Sequence, residues 1–429
     1  MHCAGERVDG HRKGTAVKPR LVTLALATAA LTAGLIVSAP ASAVAATGET
    51  DQLPITGASS YLAAQISNGV ISDYGLTLDT VMALDAMGVA GDVADSGLES
   101  VDQQPLNAAD PWGVAKLIIA HIARGDEPSA AAVQLLTEAT QSNGEIIGDK
   151  DTQTNFGQAL GVIALNRLAA TKPGNAQLAT EAEAATSYLI SLQCTNAPDS
   201  ADNGGFTLHG GCDVEDPSVD PDSTGIVAQA LLGVPDSAPS NTARTATTAR
   251  SAGELAVKYL LNHRATNGGQ NSRFAKVNAN TTALAAGAYA LADEKTALTT
   301  SHNYLRSLQY TCADSASLRS QLGAIAYRDK EESNLQVNPE RADQLRRSTA
   351  QAAFALTGAS YATYTRPATV NPDPVPVQCA AAPDNTDNTD NTDNTGAIVG
   401  GVIGGLVLLI AVVFAVAGPQ LTQMGIIRL

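Results

Sequence analysis

Small apolar residues fill this chain in two alternating patterns. In the first they run almost unbroken behind a polar opening residue: Asp79-Thr80-Val81-Met82-Ala83-Leu84, Asp222-Ser223-Thr224 leading to Ala230-Leu231, Asn280-Thr281-Thr282-Ala283-Leu284, and Ser348-Thr349 leading to Ala355-Leu356. Asp110-Pro111-Trp112 and Thr154-Asn155-Phe156 open two more such runs. Asp, Asn, Ser and Thr suit a helix N-cap, where a side-chain oxygen takes up a free backbone N–H, and Pro suits the first helical position. A helix that is apolar on nearly all sides belongs in an interior. The second pattern is amphipathic and ends in Tyr-Leu, at Tyr61-Leu62, Tyr188-Leu189, Tyr259-Leu260 and Tyr304-Leu305. Gly turns follow several of these, at Asn68-Gly69, Asn203-Gly204-Gly205-Phe206 and Asn267-Gly268-Gly269. Glycine admits left-handed backbone there and stops the helix. The alternation predicts about six helical hairpins, an inner ring of helices inside an outer one. The expected fold is all-α, an (α/α)6 toroid spanning residues 47–380.

The two ends differ from this body. Arg12, Lys13, Lys18 and Arg20 precede an uncharged apolar run, Leu21 to Val37, and then the small residues Ala41-Ser42-Ala43. That order reads as a signal peptide over residues 1–43, with a retained N-terminal anchor as the alternative. Ala397 to Ala417 is apolar or Gly throughout and long enough to cross a bilayer as a single helix. The expected arrangement is a single-pass cell-membrane protein: ectodomain outside, a disordered Asp-Asn-Thr linker over 381–396, a transmembrane helix over 397–417, and a short cytoplasmic tail over 418–429. Gly400 and Gly404 stand four apart and suit a dimer seam, though Gly is common in membrane helices anyway. Leu53-Pro54-Ile55-Thr56-Gly57 matches a sortase signal, but it stands at the wrong end of the chain and reads as chance.

Charge and cysteines narrow the partners. The formal net charge is −16, and most of the basic leader would be lost on processing. Such a surface repels phosphate backbones, which excludes nucleic acid as a partner. Apart from Cys3, four cysteines remain, an even number suited to an oxidising compartment. Three pairings are open. The expected one joins Cys194 to Cys212, closing a Gly-rich loop, and Cys312 to Cys379, clipping the Pro-rich exit back onto the body. Paired cysteines leave no thiolate for zinc, so no metal is expected. The acidic stretch from Asp199 to Asp222 fits no calcium-loop spacing and reads as a solvated loop.

Leu192-Gln193 with Gly204-Gly205-Phe206, Asp220-Pro221-Asp222-Ser223-Thr224-Gly225, and Pro111-Trp112-Gly113-Val114-Ala115-Lys116 carry a family resemblance. In order and repetition they resemble the α/α-toroid superfamily of terpenoid cyclases, protein prenyltransferases and cobalamin-binding intrinsic-factor-type proteins, here as a surface-anchored bacterial member. The resemblance implies parallel inner helices whose N-termini share one mouth. Asp79, Asp110, Trp112, Thr154, Asp222, Thr224, Asn280 and Ser348 would then border a ligand pit. It also implies a candidate acid. Class II terpenoid cyclases protonate an alkene with the third residue of Asp-x-Asp-Asp-Thr, matched by Asp222, with Asp220 as the first Asp. Ser223 replaces the fourth residue, and aromatics are only 4% of the chain, too few to line a cation-stabilising cavity. The expectation drawn is therefore a non-enzymatic binding module for a small ligand, corrinoid-like among them, or for an extracellular protein. A cyclase-like enzyme and a purely structural surface protein are the alternatives.

Overall fold

The computed structural model describes residues 53 to 379, apart from 68–70, 72, 150–152, 196–199, 213–217, 236–241, 274, 375–376 and 378. The chain divides at residue 47/48, and everything described belongs to the second unit. The signal peptide, the linker, the transmembrane segment with Gly400 and Gly404, and the tail all lie outside the described residues. No described helix is long and apolar enough to cross a membrane.

Among the described residues twelve α-helices follow one another: α1 (Leu53–Ser67), α2 (Tyr74–Met87), α3 (Gly91–Asp102), α4 (Pro111–Arg124), α5 (Ala130–Ala139), α6 (Asn155–Thr171), α7 (Ala176–Ser191), α8 (Pro221–Leu232), α9 (Thr242–Asn262), α10 (Ala279–Leu291), α11 (Lys295–Ser307) and α12 (Ala342–Leu356). Among the described residues β-pairing is confined to isolated bridges. The even-numbered helices touch in sequence, α2 to α4, α6, α8, α10 and α12, and α12 returns to α2. The odd-numbered helices lie outside them, each packed on its inner neighbours, with α1 touching both α12 and α2. The fold is an α/α toroid.

Burial follows the two sequence patterns. Every residue of α2 from Leu76 to Asp85 is buried, as is α8 from Ser223 to Leu231. Among the outer helices, α11 buries only Ala297, Ser301, Tyr304 and Leu305, one stripe at helical spacing.

A repeated turn sets the hairpins against one another. Gly144, Gly204, Gly268 and Gly323 have φ of 89, 93, 88 and 87°, a region in which a side chain is strained. A Cβ at any of them would collide with backbone of an outer helix: Ala184 in α7, Leu255 in α9, Thr300 in α11 and Gly57 in α1. Two residues after each Gly, a backbone N–H donates to a side chain of an inner helix. Ile146 donates to Gln158 Oε1, Phe206 to Thr224 Oγ1, Gln270 to Thr282 Oγ1 and Ile325 to Thr349 Oγ1, each at 2.9 Å. The same device therefore recurs around the ring, and its last copy, Gly323 on Gly57, closes it. The sortase-like Leu53–Gly57 stretch is the first turn of α1 and part of that closure.

Beyond α12 the chain runs back over the C-terminal ends of the inner helices. Tyr361 N–H donates to Gln229 Oε1 of α8 at 2.9 Å, and Arg167 of α6 donates to Tyr361 O at 3.1 Å and Tyr364 O at 2.9 Å. Arg366 N–H reaches Ala123 O of α4 at 2.7 Å, and Asn371 N–H reaches Gly88 O after α2 at 2.9 Å. Tyr361 and Tyr364 are buried and pack against Phe354, one tilted and one edge-on, at centroid distances of 4.8 and 5.1 Å. This belt stops one end of the ring. Both expected disulfides are present, Cys194–Cys212 and Cys312–Cys379, each with Cα atoms 5.3 Å apart.

Candidate functional site

The inner helices begin at the other end of the ring. Asp110 and Thr154 cap α4 and α6 as expected, accepting from Gly113 N at 3.0 Å and Gly157 N at 3.1 Å. The remaining expected caps are corrected. α8 is capped by Asp220, whose Oδ2 accepts from Ser223 N at 2.8 Å and from Ser223 Oγ at 2.6 Å. Pro221 takes the first helical position, which leaves the cap to the residue before it and puts Asp222 inside the helix. For α10 the cap is Asn278, accepting from Thr281 N at 3.0 Å, so Asn280 also lies inside. α2 starts earlier than expected, at Asp73, so Asp79 stands in its second turn. Ser348 is buried within α12 and donates to Ile325 O at 2.7 Å. Thr224 is buried, and its hydroxyl oxygen accepts from the Phe206 N–H at 2.9 Å.

The repeated turn aligns the helix starts. Two residues before Gln158, Thr224, Thr282 and Thr349 stand Phe156, Asp222, Asn280 and Arg347. On α6, α8 and α10 these residues are partly exposed while both chain neighbours are buried. Trp112 holds the matching place on α4; it is 6% exposed, with its ring against Gly157 of α6. The mouth thus carries two aromatic rings, a carboxyl group, an amide and a guanidinium at one level. A second level lies a turn deeper: Lys116 Nζ of α4 reaches Asp79 Oδ1 of α2 at 2.6 Å, and Arg347 of α12 stands 4.0 Å from Asp79 Oδ2.

Asp222 is the chemical centre of this mouth. Its Oδ1 is enclosed and has no hydrogen-bond partner among the described residues. Burial, and then the neighbouring Asp220 carboxyl, push its pKa up to about 7 against the pull of a hydrogen bond with Thr281. Asp220 is raised as well, chiefly by burial, with the Ser223 bonds and Arg273 opposing. Tyr327 is pushed up to about 12 by burial and by Asp222, so its hydroxyl stays a donor at neutral pH. Tyr259 is raised by burial and by Asp202, Asp220 and Asp222. A carboxylic acid that keeps its proton near neutrality can hand it to a basic oxygen of a bound molecule.

Among the described residues no group of three or more His, Cys, Asp or Glu is arranged to hold a metal ion. The four described histidines are engaged elsewhere: His121 with Asp102 at 2.9 Å, His209 with Gln153 O at 2.7 Å, His263 with Tyr259 O at 2.9 Å, and His302 with Ala355 O at 3.0 Å.

No protein-family model matches the chain, and no curated protein does. Solved structures do. The unsaturated glucuronyl hydrolase of Bacillus sp. GL1, responsible for the degradation of glycosaminoglycan, superposes at a TM-score of 0.48, with 10% identity over 72% of this chain and 95% of that one. A glycosidase in its wild-type form matches at 0.33, with 13% identity over 73% and 100%, and a glycosidase variant in complex with glucose at 0.34, with 13% identity over 72% and 98%. These solved structures are glycosidases. They stand at variance with the expectation of a non-enzymatic binding module, which is not carried further, and they do not bear out membership of the terpenoid cyclases, prenyltransferases or cobalamin binders. At these identities and scores the likeness concerns the ring architecture and leaves this chain's chemistry to its own residues.

The sequence had marked Asp222, Asp220 and Trp112. It had missed Phe156, Arg347 and Lys116 as mouth residues, together with Tyr327. Phe156 and Lys116 were within quoted motifs, and counting back from the Thr or Gln after each Gly turn would have found Phe156 and Arg347. Tyr327 comes from the long connection between α11 and α12 and carries no such signal.

Proposed function

We propose that this chain is an enzyme in which Asp222 acts as a general acid on a glycoside. The observation that carries the reading is the Asp222 carboxyl, enclosed at the mouth and pushed up to about 7. In such a reaction Asp222 gives its proton to the glycosidic oxygen as the bond to the anomeric carbon breaks, and water supplies the new hydroxyl. The surroundings suit a sugar. Phe156 presents a ring to the apolar C–H face of a pyranose, with Trp112 packed behind the helix starts, while Asn280, Arg347 and the Tyr327 hydroxyl address its oxygens.

The test is an assay of the full chain on a panel of neutral and acidic oligosaccharides, terminally unsaturated uronides included, with release of reducing ends as the readout. Turnover is expected to fall at least ~100-fold in Asp222→Asn. In the active protein kcat/KM is expected to decline above pH of about 7 as Asp222 ionises. Absence of product from the whole panel, or an Asp222→Asn variant as active as the parent, would sink the proposal.

A further inference from the structure

The belt behind α12 is held by two unlike kinds of attachment. Across the stopped end of the ring it is held by single contacts taken in turn. Gln229 and Arg167 hold the backbone of Tyr361 and Tyr364. Arg366 pairs with buried Asp85 at 3.3 Å and with Asp95 at 2.7 Å. Asn371 and Asp373 bond to the turn between α2 and α3. Beyond this its end is fixed covalently, Cys379 to Cys312 in the connection that follows α11. The stopper is also incompletely packed. A cavity of about 370 Å³ lies between Ala362 and Thr363 of the belt and Ile163, Arg167 and Ala230 of the ring. The two disulfides differ in access: Cys312 is exposed and Cys379 partly so, whereas Cys194 is 8% exposed and Cys212 partly exposed, so only the first bridge offers a fully exposed sulfur residue.

We propose that the belt is a releasable stopper of the toroid, clasped by Cys312–Cys379 and opened when that bond is reduced. An external dithiol attacks the exposed Cys312 sulfur, displaces Cys379 as a thiolate that takes up a proton, and closes to its own disulfide as Cys312 leaves as a thiol. Two electrons and two protons pass to the protein, and the dithiol is oxidised. The belt, now tethered at one end only, can lift from the inner-helix C-termini along the side the cavity leaves unpacked.

Amide hydrogen exchange of the full chain tests this. Oxidised protein is compared with the Cys312→Ser/Cys379→Ser double variant, and with wild type treated with reductant under conditions where mass analysis shows Cys194–Cys212 intact. The expected result is exchange at least roughly tenfold faster at Tyr361, Arg366 and Asn371, with α8 and α10 unchanged. Unchanged exchange along the belt would mean that its non-covalent contacts suffice, and would overturn the proposal. Equal loss of protection in the belt, α2, α8 and α10 would also overturn it, since the belt would then be part of the core. If the double variant does not fold, the reduced wild type decides alone.

Discussion

At the scale of single residues, the buried carboxyl of Asp222 makes stability depend on pH. Its pKa is about 7 in the fold against an ordinary 3.8. Between those values the unfolded chain gives up a proton that the fold retains. Stability from this group is therefore complete below pH of about 4, declines as pH rises, and is lost above about 7. Asp222→Asn removes the penalty. Relative to wild type, the variant is expected to gain roughly 1–3 kcal/mol between about pH 3 and about pH 8. Urea unfolding of both proteins at the two pH values measures it, and parallel pH profiles would show that the carboxyl is not held protonated. The same variant is expected to be inactive, so the site gives up stability for chemistry, as functional sites often do.

Among the elements, the repeated glycine turn decides how hairpins meet. Gly323 and Gly125 have similar φ, 87 and 80°, but different surroundings. A Cβ on Gly323 would overlap the Gly57 carbonyl of α1, whereas one on Gly125 meets nothing within 4 Å. Gly125→Ala is expected to cost about 1–2 kcal/mol, the strain of left-handed backbone alone. Gly323→Ala is expected to cost more than about 3 kcal/mol, because the backbones of two hairpins must part. Equal losses in urea titrations would deny the turn its closing role. This turn also marks what could be read without coordinates. Unbroken apolar runs and Gly stops revealed six inner helices and their outer partners, because burial on all sides leaves a pattern in composition. Cap registers were less legible. Asp79, Asp222 and Asn280 are as good cap formers as Asp73, Asp220 and Asn278, and only the position of the first helical turn separates them. The return of the chain end was legible in Cys312 and Cys379, but its path across the ring was not, since Tyr361 and Tyr364 are fixed by Gln229 and Arg167, partners far away in sequence.

Among the described residues the ring has no end repeats to fray. α12 packs on α2 and α1 as the other helices pack on their neighbours. An open stack of hairpins unfolds from its ends, giving transitions that differ by probe. A closed ring is expected to unfold in one step. The single Trp of the chain lies at the mouth and reports one place, while far-UV circular dichroism reports all helices. The two urea transitions are expected to coincide within error. A Trp112 transition clearly earlier than the loss of helix would show that the ring opens before it melts.

The Gly57–Gly323 closure has a consequence for the order of synthesis. The first helix of the ring to leave the ribosome finds its partner only after nearly all the rest of the ring has been made. Until then α1 and α2 lack the α12 face on which they pack. Contacts this distant in sequence form slowly and late. Vectorial emergence therefore leaves a window in which the N-terminal hairpin is complete as a helix pair but unsatisfied as a surface, a state suited to holding by a chaperone or threading through a translocon.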